Sequence, residues 1–416
     1  MTASTTGLLG ALSEPQFRLL WIGQTASRAG DALIPVAIAF AVLGIGGSAT
    51  ELGIVFAAFA VAHVALVLAG GVWADRLPRQ LVMVVCDVVR VVGEVILAVL
   101  LISGTAQVWH MAVGAAVIGA ASAFFLPASS GLVPQVVSAG RLQQGNALMG
   151  LSRSATGIFG PPISGLLVVT AGTGVVFLVD AATFAVSTVS LLLLRVPPTE
   201  ARPTQQRFFA ELAAGWREVT QRRWILAAIC AFAITNLATS PFFILGAVVA
   251  DAKLGGAAAW GVILTGGGIG GVIGGLLALR LRPKRPLLVG FLISTAMALP
   301  LLALVGPLPV VLIAAASLLS WVSIQLSNTW WFTMLQQHVP EHARSRVSSY
   351  DWLVSLVFQP LGFMLAGPLA SGIGLTATLI GAAVLALIGN FGVLLVRDVR
   401  EVRWVDEAVA REPDPV

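Results

Sequence analysis

Apolar runs of 18 residues or more recur from one end of this chain to the other. A helix rises about 1.5 Å per residue, so a run of that length is long enough to cross the hydrocarbon core of a bilayer. The chain's 416 residues are 57% hydrophobic and only 10% charged, whereas soluble domains carry roughly 25% charged residues. A water-soluble fold of this composition could not cover its own surface. Backbone polar groups in lipid must be satisfied within the segment, and the weak ten-residue alternation of a β-barrel is absent. The sequence therefore predicts an all-α integral membrane protein, and nothing in it pairs a nucleophile with a base as an enzyme would.

The runs predict twelve transmembrane helices, at roughly 17–44, 50–74, 81–102, 107–130, 144–168, 174–194, 223–249, 258–279, 286–305, 309–333, 346–370 and 373–396. No basic n-region, short apolar run and cleavage site of a signal peptide is evident. With the N-terminus placed in the cytoplasm, Lys253 is the one basic residue on the opposite side, and Arg28, Arg90 and Arg153 lie within spans. All the other Lys and Arg, from a total of 24, fall on the cytoplasmic side. This asymmetry predicts both termini inside a cell inner (plasma) membrane. Four regions follow: a six-helix half over 1–194, a cytoplasmic linker over 195–222, a second half over 223–396 and a tail over 397–416. Within the linker, Phe208, Phe209, Leu212, Trp216 and Val219 share a helix face. That helix lies on the inner leaflet or simply packs on the bundle.

Charges inside a membrane are costly and mark function by default. The first half places seven within spans: Arg28, Asp31, Asp87, Arg90, Glu94, Arg153 and Asp180. The second half has almost none besides Asp351. At about 1.5 Å per residue, Arg28, Arg90 and Arg153 lie roughly 13–15 Å from the cytoplasmic end of their spans, and Asp31, Glu94 and Asp180 roughly 20 Å. Local pairs Arg28–Asp31, Asp87–Arg90 and Arg90–Glu94 are expected from i,i+3 and i,i+4 spacing. Four acids face three cations, so one acid is expected to take up and release a proton. The alternative is that all seven are static ion-pair glue between helices.

The halves also echo each other at a spacing of about 200 residues. "GVWADRLPRQ" from Gly71 has a degenerate counterpart in "GLLALRLRPKR" from Gly275, with Leu279 where Asp75 would be. "GPPISG" from Gly160 is echoed by "QPLGFMLAG" from Gln359. Two homologous halves are the signature of a transporter that rocks one half against the other. Gly71-x-x-x-Asp75-Arg76-x-x-Arg79 resembles motif A of the major facilitator superfamily, with Gln80 where many members carry another basic residue. Gly160-Pro161-Pro162-Ile163-Ser164-Gly165 resembles its antiporter motif C, with Ser164 in place of Gly. Span four lacks the basic residue of motif B. "FRLLWIGQTASRAGDALIPVAI", "CDVVR", "FFLPASSGLVPQVV" and "RLQQGNALM" are similar to the enterobactin-exporter and macrolide-efflux branch.

That resemblance implies a major facilitator fold whose spans one, four, seven and ten line a central cavity. Asp31 is then the leading proton carrier, with Glu94, Asp180, Arg28, Arg90 and Arg153 as its setting. Gln24, Arg28, Asp31 and Pro35 share one face of span one. In the second half the cavity candidates are Asn236, Thr239 and Phe243 on span seven, and Trp321, Gln325, Asn328 and Phe332 on span ten. Aromatic area mixed with amides suits a bulky amphipathic ligand. Trp330, Trp331 and Trp352 read instead as interfacial belt residues. Conformational gating is assigned to Gly71, Asp75, Arg76, Arg79, Ser348, Asp351, Gly160 and Pro161, with Asp75 docking at the start of span eleven near Ser348.

The implied function is proton-coupled efflux of amphipathic drugs or hydrophobic natural products. Export of a siderophore or another dedicated metabolite, or a transporter-like sensor that moves nothing, remain as alternatives. The expected partners are the small-molecule substrate, protons and membrane lipids, with the chain a monomer and no nucleic acid. The glycine run Gly266–Gly275 lacks a P-loop Lys-Ser/Thr and predicts close helix packing. His338 and His342 lack a third ligand, so no metal or other cofactor is expected.

Overall fold

The structure, a computed structural model, describes residues 10–196, 216–306 and 308–405; the side chains of 68–76, 341–342, 345–346, 349 and 355–356 are likewise outside the described residues. The protein is all-α. Among the described residues, eleven helical stretches are long and apolar enough to cross a membrane. A further helix, α4 (Arg79–Ile102), has 24 residues and carries Asp87, Arg90 and Glu94.

Proline shapes the first span. It divides into α1 (Pro15–Asp31) and α2 (Ile34–Gly44). Pro35 has no N–H to give the Asp31 carbonyl, and its ring crowds the preceding turn, so the helix breaks there. Ala32 and Leu33 bridge the gap, with the Leu33 N–H donating to the Gly30 carbonyl at 2.8 Å. The ninth span is interrupted likewise, as α10 (Pro286–Ser294), a 3-10 turn (Thr295–Met297) and α11 (Ala298–Ala303). Pro300 removes the bond to Ala296 at that point.

The chain packs as two compact units. The first comprises 1–204 with 244–265 and 363–368; the second comprises 205–243, 266–362 and 369–416. In the first, α3 (Ala49–Arg76) runs along α5 (Val108–Val136), and both α1 and α4 lie on α7 (Thr173–Leu193). Glycine permits the closest approaches. A side chain at Gly119 would collide with the Phe59 carbonyl, and one at Gly53 with the Phe363 carbonyl. A carbon on Gly165, in α6 (Leu142–Ala171), would stand 2.6 Å from the Ala257 oxygen.

In the second unit, Gly266, Gly270 and Gly274 of α9 (Ala257–Ala278) press on the carbonyls of Ala314, Leu318 and Val322 of α12 (Val310–His338). The i,i+4 register on both partners puts backbone against backbone, which gives van der Waals contact where lipid supplies no hydrophobic drive. α8 (Arg223–Val249), α13 (Glu341–Ile373) and α14 (Leu375–Gly392) complete this unit's long helices, with residues 244–249 of α8 and 363–368 of α13 belonging to the first unit. Of the expected linker helix, residues 197–215 lie outside the described residues. Val219 is buried in the second unit's core, and the Trp216 ring sits 5.5 Å from that of Tyr350. The described part of the linker thus packs on the bundle.

Candidate functional site

Asp87, Arg90 and Glu94 share one face of α4, and all are buried. Asp87 and Glu94 are 0% exposed, as is Asp180 from α7, and Arg90 is 2% exposed. The Arg90 guanidinium lies between the rings of Phe125 and Phe184, 4.8 and 4.9 Å from their centroids. It donates to the Ser122 hydroxyl at 2.6 Å and approaches Asp87 at 3.9 Å. The expected Arg90–Glu94 pair is therefore replaced: the two rings hold the fork toward Asp87 and Ser122. Glu94 is buried one turn further along α4, on the helix that packs against α7. Among the described residues no donor reaches either oxygen of Asp87 or Glu94, or Asp180 Oδ2, and Arg90 Nε and Nη1 find no acceptor.

Asp31 differs from these. It ends α1 at the proline break and is exposed. The residue before it, Gly30, leaves a notch filled by Asp180 Oδ1 and the Thr183 hydroxyl. The expected Arg28–Asp31 ion pair does not close among the described residues. Arg28 instead donates to the Met149 carbonyl of α6 at 3.0 Å. Arg153 is exposed on α6. Gln24 is buried and accepts from Ser129 at 3.2 Å. The structure thus buries Glu94, Arg90 and Asp180 on the packed helices α4 and α7 and sets Asp180 against the α1 backbone next to Asp31. Asp87, expected to pair with Arg90, lies 3.9 Å from it and belongs to the same cluster. Its i,i+3 spacing to Arg90 was the available signal.

The motif C stretch supports the break in span one. Ser164 is buried and donates to the Leu33 carbonyl at 2.6 Å. A side chain at Gly160 would collide with Ala32, and Pro161 backs onto Gly261 of α9. At the other motif, Arg79 donates to the Gly131 carbonyl at 2.7 Å. Gln80 donates to the Leu191 and Leu194 carbonyls at 2.6 and 3.0 Å, tying the start of α4 to the end of α7. The side chains of Gly71, Asp75 and Arg76 lie outside the described residues, and so does the expected docking of Asp75. Ser348 is half-buried in α13.

The second unit contains a cavity of about 220 Å³. Asn236, Asn328 and Phe332 line it, as do Phe232, Trp331, Trp352, Asp351 and Asn390. Asp351 is 5% exposed and accepts from Trp331 Nε1 at 2.9 Å. The belt assignment of two tryptophans is corrected: Trp330 and Trp331 are buried. Each satisfies its indole N–H inside the protein, Trp330 on the Leu281 carbonyl and Trp331 on Asp351. Trp352 is 58% exposed. Trp321 and Gln325 lie against Gly267 and Gly274 of α9, off this cavity. The Thr239 hydroxyl donates to the Thr235 carbonyl, and the Phe243 ring packs on Phe242. Asp351, expected to gate, is thus an acid in a cavity wall.

Residues 20–356 match the family described as Major Facilitator Superfamily. The multidrug efflux pump Tap of Mycolicibacterium fortuitum is 27% identical over 399 residues, spanning 92% of this chain and 96% of Tap. The protein of that name in Mycobacterium tuberculosis is 26% identical over 390 residues, spanning 89% and 90%. Among solved structures, a bacterial homologue of the human lysosomal transporter Spinster, inward-facing and unoccupied, has a TM-score of 0.72 at 15% identity, covering 94% of this chain and 98% of its own. A bacterial homologue of the iron transporter ferroportin, inward-facing, has a TM-score of 0.71 at 17% identity, covering 91% and 98%. Such identities establish shared fold alone. By its sequence over most of its length and by its helical architecture, the chain belongs to the major facilitator superfamily, a family of membrane transporters rather than enzymes.

Proposed function

We propose that this chain is a secondary active transporter that exports amphipathic drugs or hydrophobic natural products in exchange for protons. The cavity of the second unit carries the reading. Its wall combines indole and phenyl faces with Asn236, Asn328 and Asn390 and one acid, Asp351. Aromatic faces hold a bulky apolar body, amides set its orientation, and an acid favours a basic nitrogen. The Tap relatives, named multidrug efflux pumps, support the same class of substrate. The buried acids of the first unit supply the means of coupling to protons.

In this reading two six-helix halves, 1–194 and 223–396, alternate access to the substrate. The chain works as a monomer in the inner membrane with both termini in the cytoplasm. Gly160 and Pro161 shape one set of helix contacts, and Asp75 with its basic neighbours gates the cytoplasmic turn. Asp75→Asn slows turnover and leaves substrate affinity largely intact.

The test is transport in proteoliposomes holding the full chain under an imposed pH gradient, with ethidium as substrate. Accumulation that collapses with a protonophore supports the reading. Equal accumulation in protein-free vesicles overturns it.

A further inference from the structure

We propose that the turn between α9 and α10, together with the tail helix α15 (Arg397–Glu401), binds the phosphate headgroup of an anionic phospholipid. The site belongs to the second unit, and none of its residues lines the cavity there. The turn is the counterpart of the first half's Gly71–Gln80 stretch, with Leu279 in the place of Asp75. From Arg280 to Arg285 it reads RLRPKR, which is rich in cations and holds no acid. In the first half, Arg79 and Gln80 turn inward onto backbone carbonyls. In the second, Arg280, Arg282, Lys284 and Arg285 are all exposed.

The tail supplies the other wall. Val399 and Val402 are buried in a core shared with Leu287 and Phe291 of α10. The Trp404 indole N–H donates to the Pro283 carbonyl at 2.7 Å, and that of Trp330 on α12 donates to the Leu281 carbonyl at 3.1 Å. Two indoles therefore fix the turn's backbone, and the same packing leaves Arg397, Arg400 and Arg403 exposed. Arg397 closes an ion pair with Glu401 at 2.7 Å. That hydrogen bond, with the charges of Arg285 and Arg400 nearby, holds the Glu401 carboxyl below its ordinary range, so turn and tail share one field. Asp398 and Glu401 are the acids set against all these cations. Like charges so placed repel, and a bound anion offsets the repulsion.

Position selects the anion. One span ends at Ala278, the next begins at Pro286, and a third ends at Leu395. Leu279, Leu281 and Leu395 are 78%, 44% and 83% exposed. Outward leucines beside arginines at the end of a span match the boundary between acyl chains and headgroups. Free phosphate would meet the cations alone, whereas a phospholipid engages both the cations and the leucines. Guanidinium forks suit phosphate oxygens in particular.

The test is native mass spectrometry of the purified full chain in detergent, titrated with phosphatidylglycerol or phosphatidylcholine. The wild type should retain phosphatidylglycerol at about tenfold lower concentration than phosphatidylcholine. Arg280→Gln/Arg282→Gln/Lys284→Gln/Arg285→Gln should abolish that preference. Trp404→Phe, which keeps a ring and loses the N–H, should weaken it by a smaller factor. Arg18→Gln/Arg195→Gln, which removes two exposed cations of the first unit, should leave it intact. Equal retention of the two lipids by the wild type overturns the proposal. So does a folded fourfold variant with the wild-type preference, or a first-unit variant that loses as much. Displacement of the lipid by equimolar inorganic phosphate overturns the lipid as occupant and assigns the site to a free anion. Should the fourfold variant fail to fold, Arg400→Gln/Arg403→Gln decides in its place, with the same loss expected and an unchanged preference overturning the site.

Discussion

The two units bury polar groups of different kinds, although both are built from long apolar helices. In the first, the interior between α4 and α7 holds three carboxyls and one guanidinium, which lies between the rings of Phe125 and Phe184. In the second, one buried acid stands among indoles, phenyl rings and amides around an open volume of about 220 Å³. Close-packed charge suits a species as small as a proton, which needs no room. A cavity edged by amides suits a molecule of many atoms. On the proposed reading the contrast separates the chemistry of the driving ion from that of the cargo, so each should be damaged without the other.

The strongest test of this division is Arg90→Ala. It removes the one cation among three buried carboxyls, and breaking a buried pair costs about 3–5 kcal/mol. Thermal unfolding in detergent should show the loss, and adding Asp87→Asn should restore part of it. A wild-type midpoint in Arg90→Ala would mean that the cluster is already neutral. Next comes Asp351→Asn, which should weaken ethidium binding about tenfold, or about 1.4 kcal/mol, while leaving a neutral amphipath and the unfolding midpoint nearly unaffected. Equal weakening of both ligands would deny the acid any role in recognising charge. Ser164→Ala removes one of two donors to the Leu33 carbonyl, which keeps the Ala37 N–H at 3.2 Å, a change worth about 0.5–1.5 kcal/mol. Slower turnover with unchanged ethidium affinity is expected, and a pure affinity loss would place Ser164 with the cargo instead.

The smallest effect is at Glu14, just before α1. Hydrogen bonds from the Ser138 hydroxyl and backbone N–H, with Arg141 nearby, hold its carboxyl below the ordinary range. A lowered pKa contributes stability above the ordinary value that is lost as pH falls through the lowered one. Glu14 is partly exposed, so solvent screening keeps the effect under about 1 kcal/mol. Glu14→Gln should unfold slightly earlier than the wild type at neutral pH, and the difference should vanish well below about pH 4.

Much of the fold was legible because membrane helices announce themselves by length and apolarity alone. The charges of α4 were legible too, because nothing apolar explains them. What each charge touches was not. Arg90 could have paired with Glu94 by spacing, and only the rings of α5 and α7 decide otherwise. The span ten stripe shows the same limit. Trp321, Gln325, Asn328 and Phe332 share a helix face, yet the first two meet the glycines of α9 and the last two meet the cavity. Periodicity identifies a face, whereas the helix that covers each turn of it depends on crossings that no local pattern encodes. Trp331 was misjudged for a related reason. Its place near the end of an apolar run matches an interfacial tryptophan, and its burial depends on Asp351, twenty residues away on another helix.

The polarity of α4 also bears on how the chain is made. Ionised residues at a span's centre disfavour its entry into the bilayer by about 2.5–3.5 kcal/mol each, while each Leu, Ile or Val returns about 0.3–0.6. With Asp87, Arg90 and Glu94 together, α4 gains almost nothing from lipid on its own. During synthesis it must shelter against α3 and α5, or wait at the translocon, until α7 emerges about 70 residues later with Asp180 and Phe184. The first half is therefore expected to assemble as a group of helices, and a chain truncated before α7 should be retained by quality-control proteases.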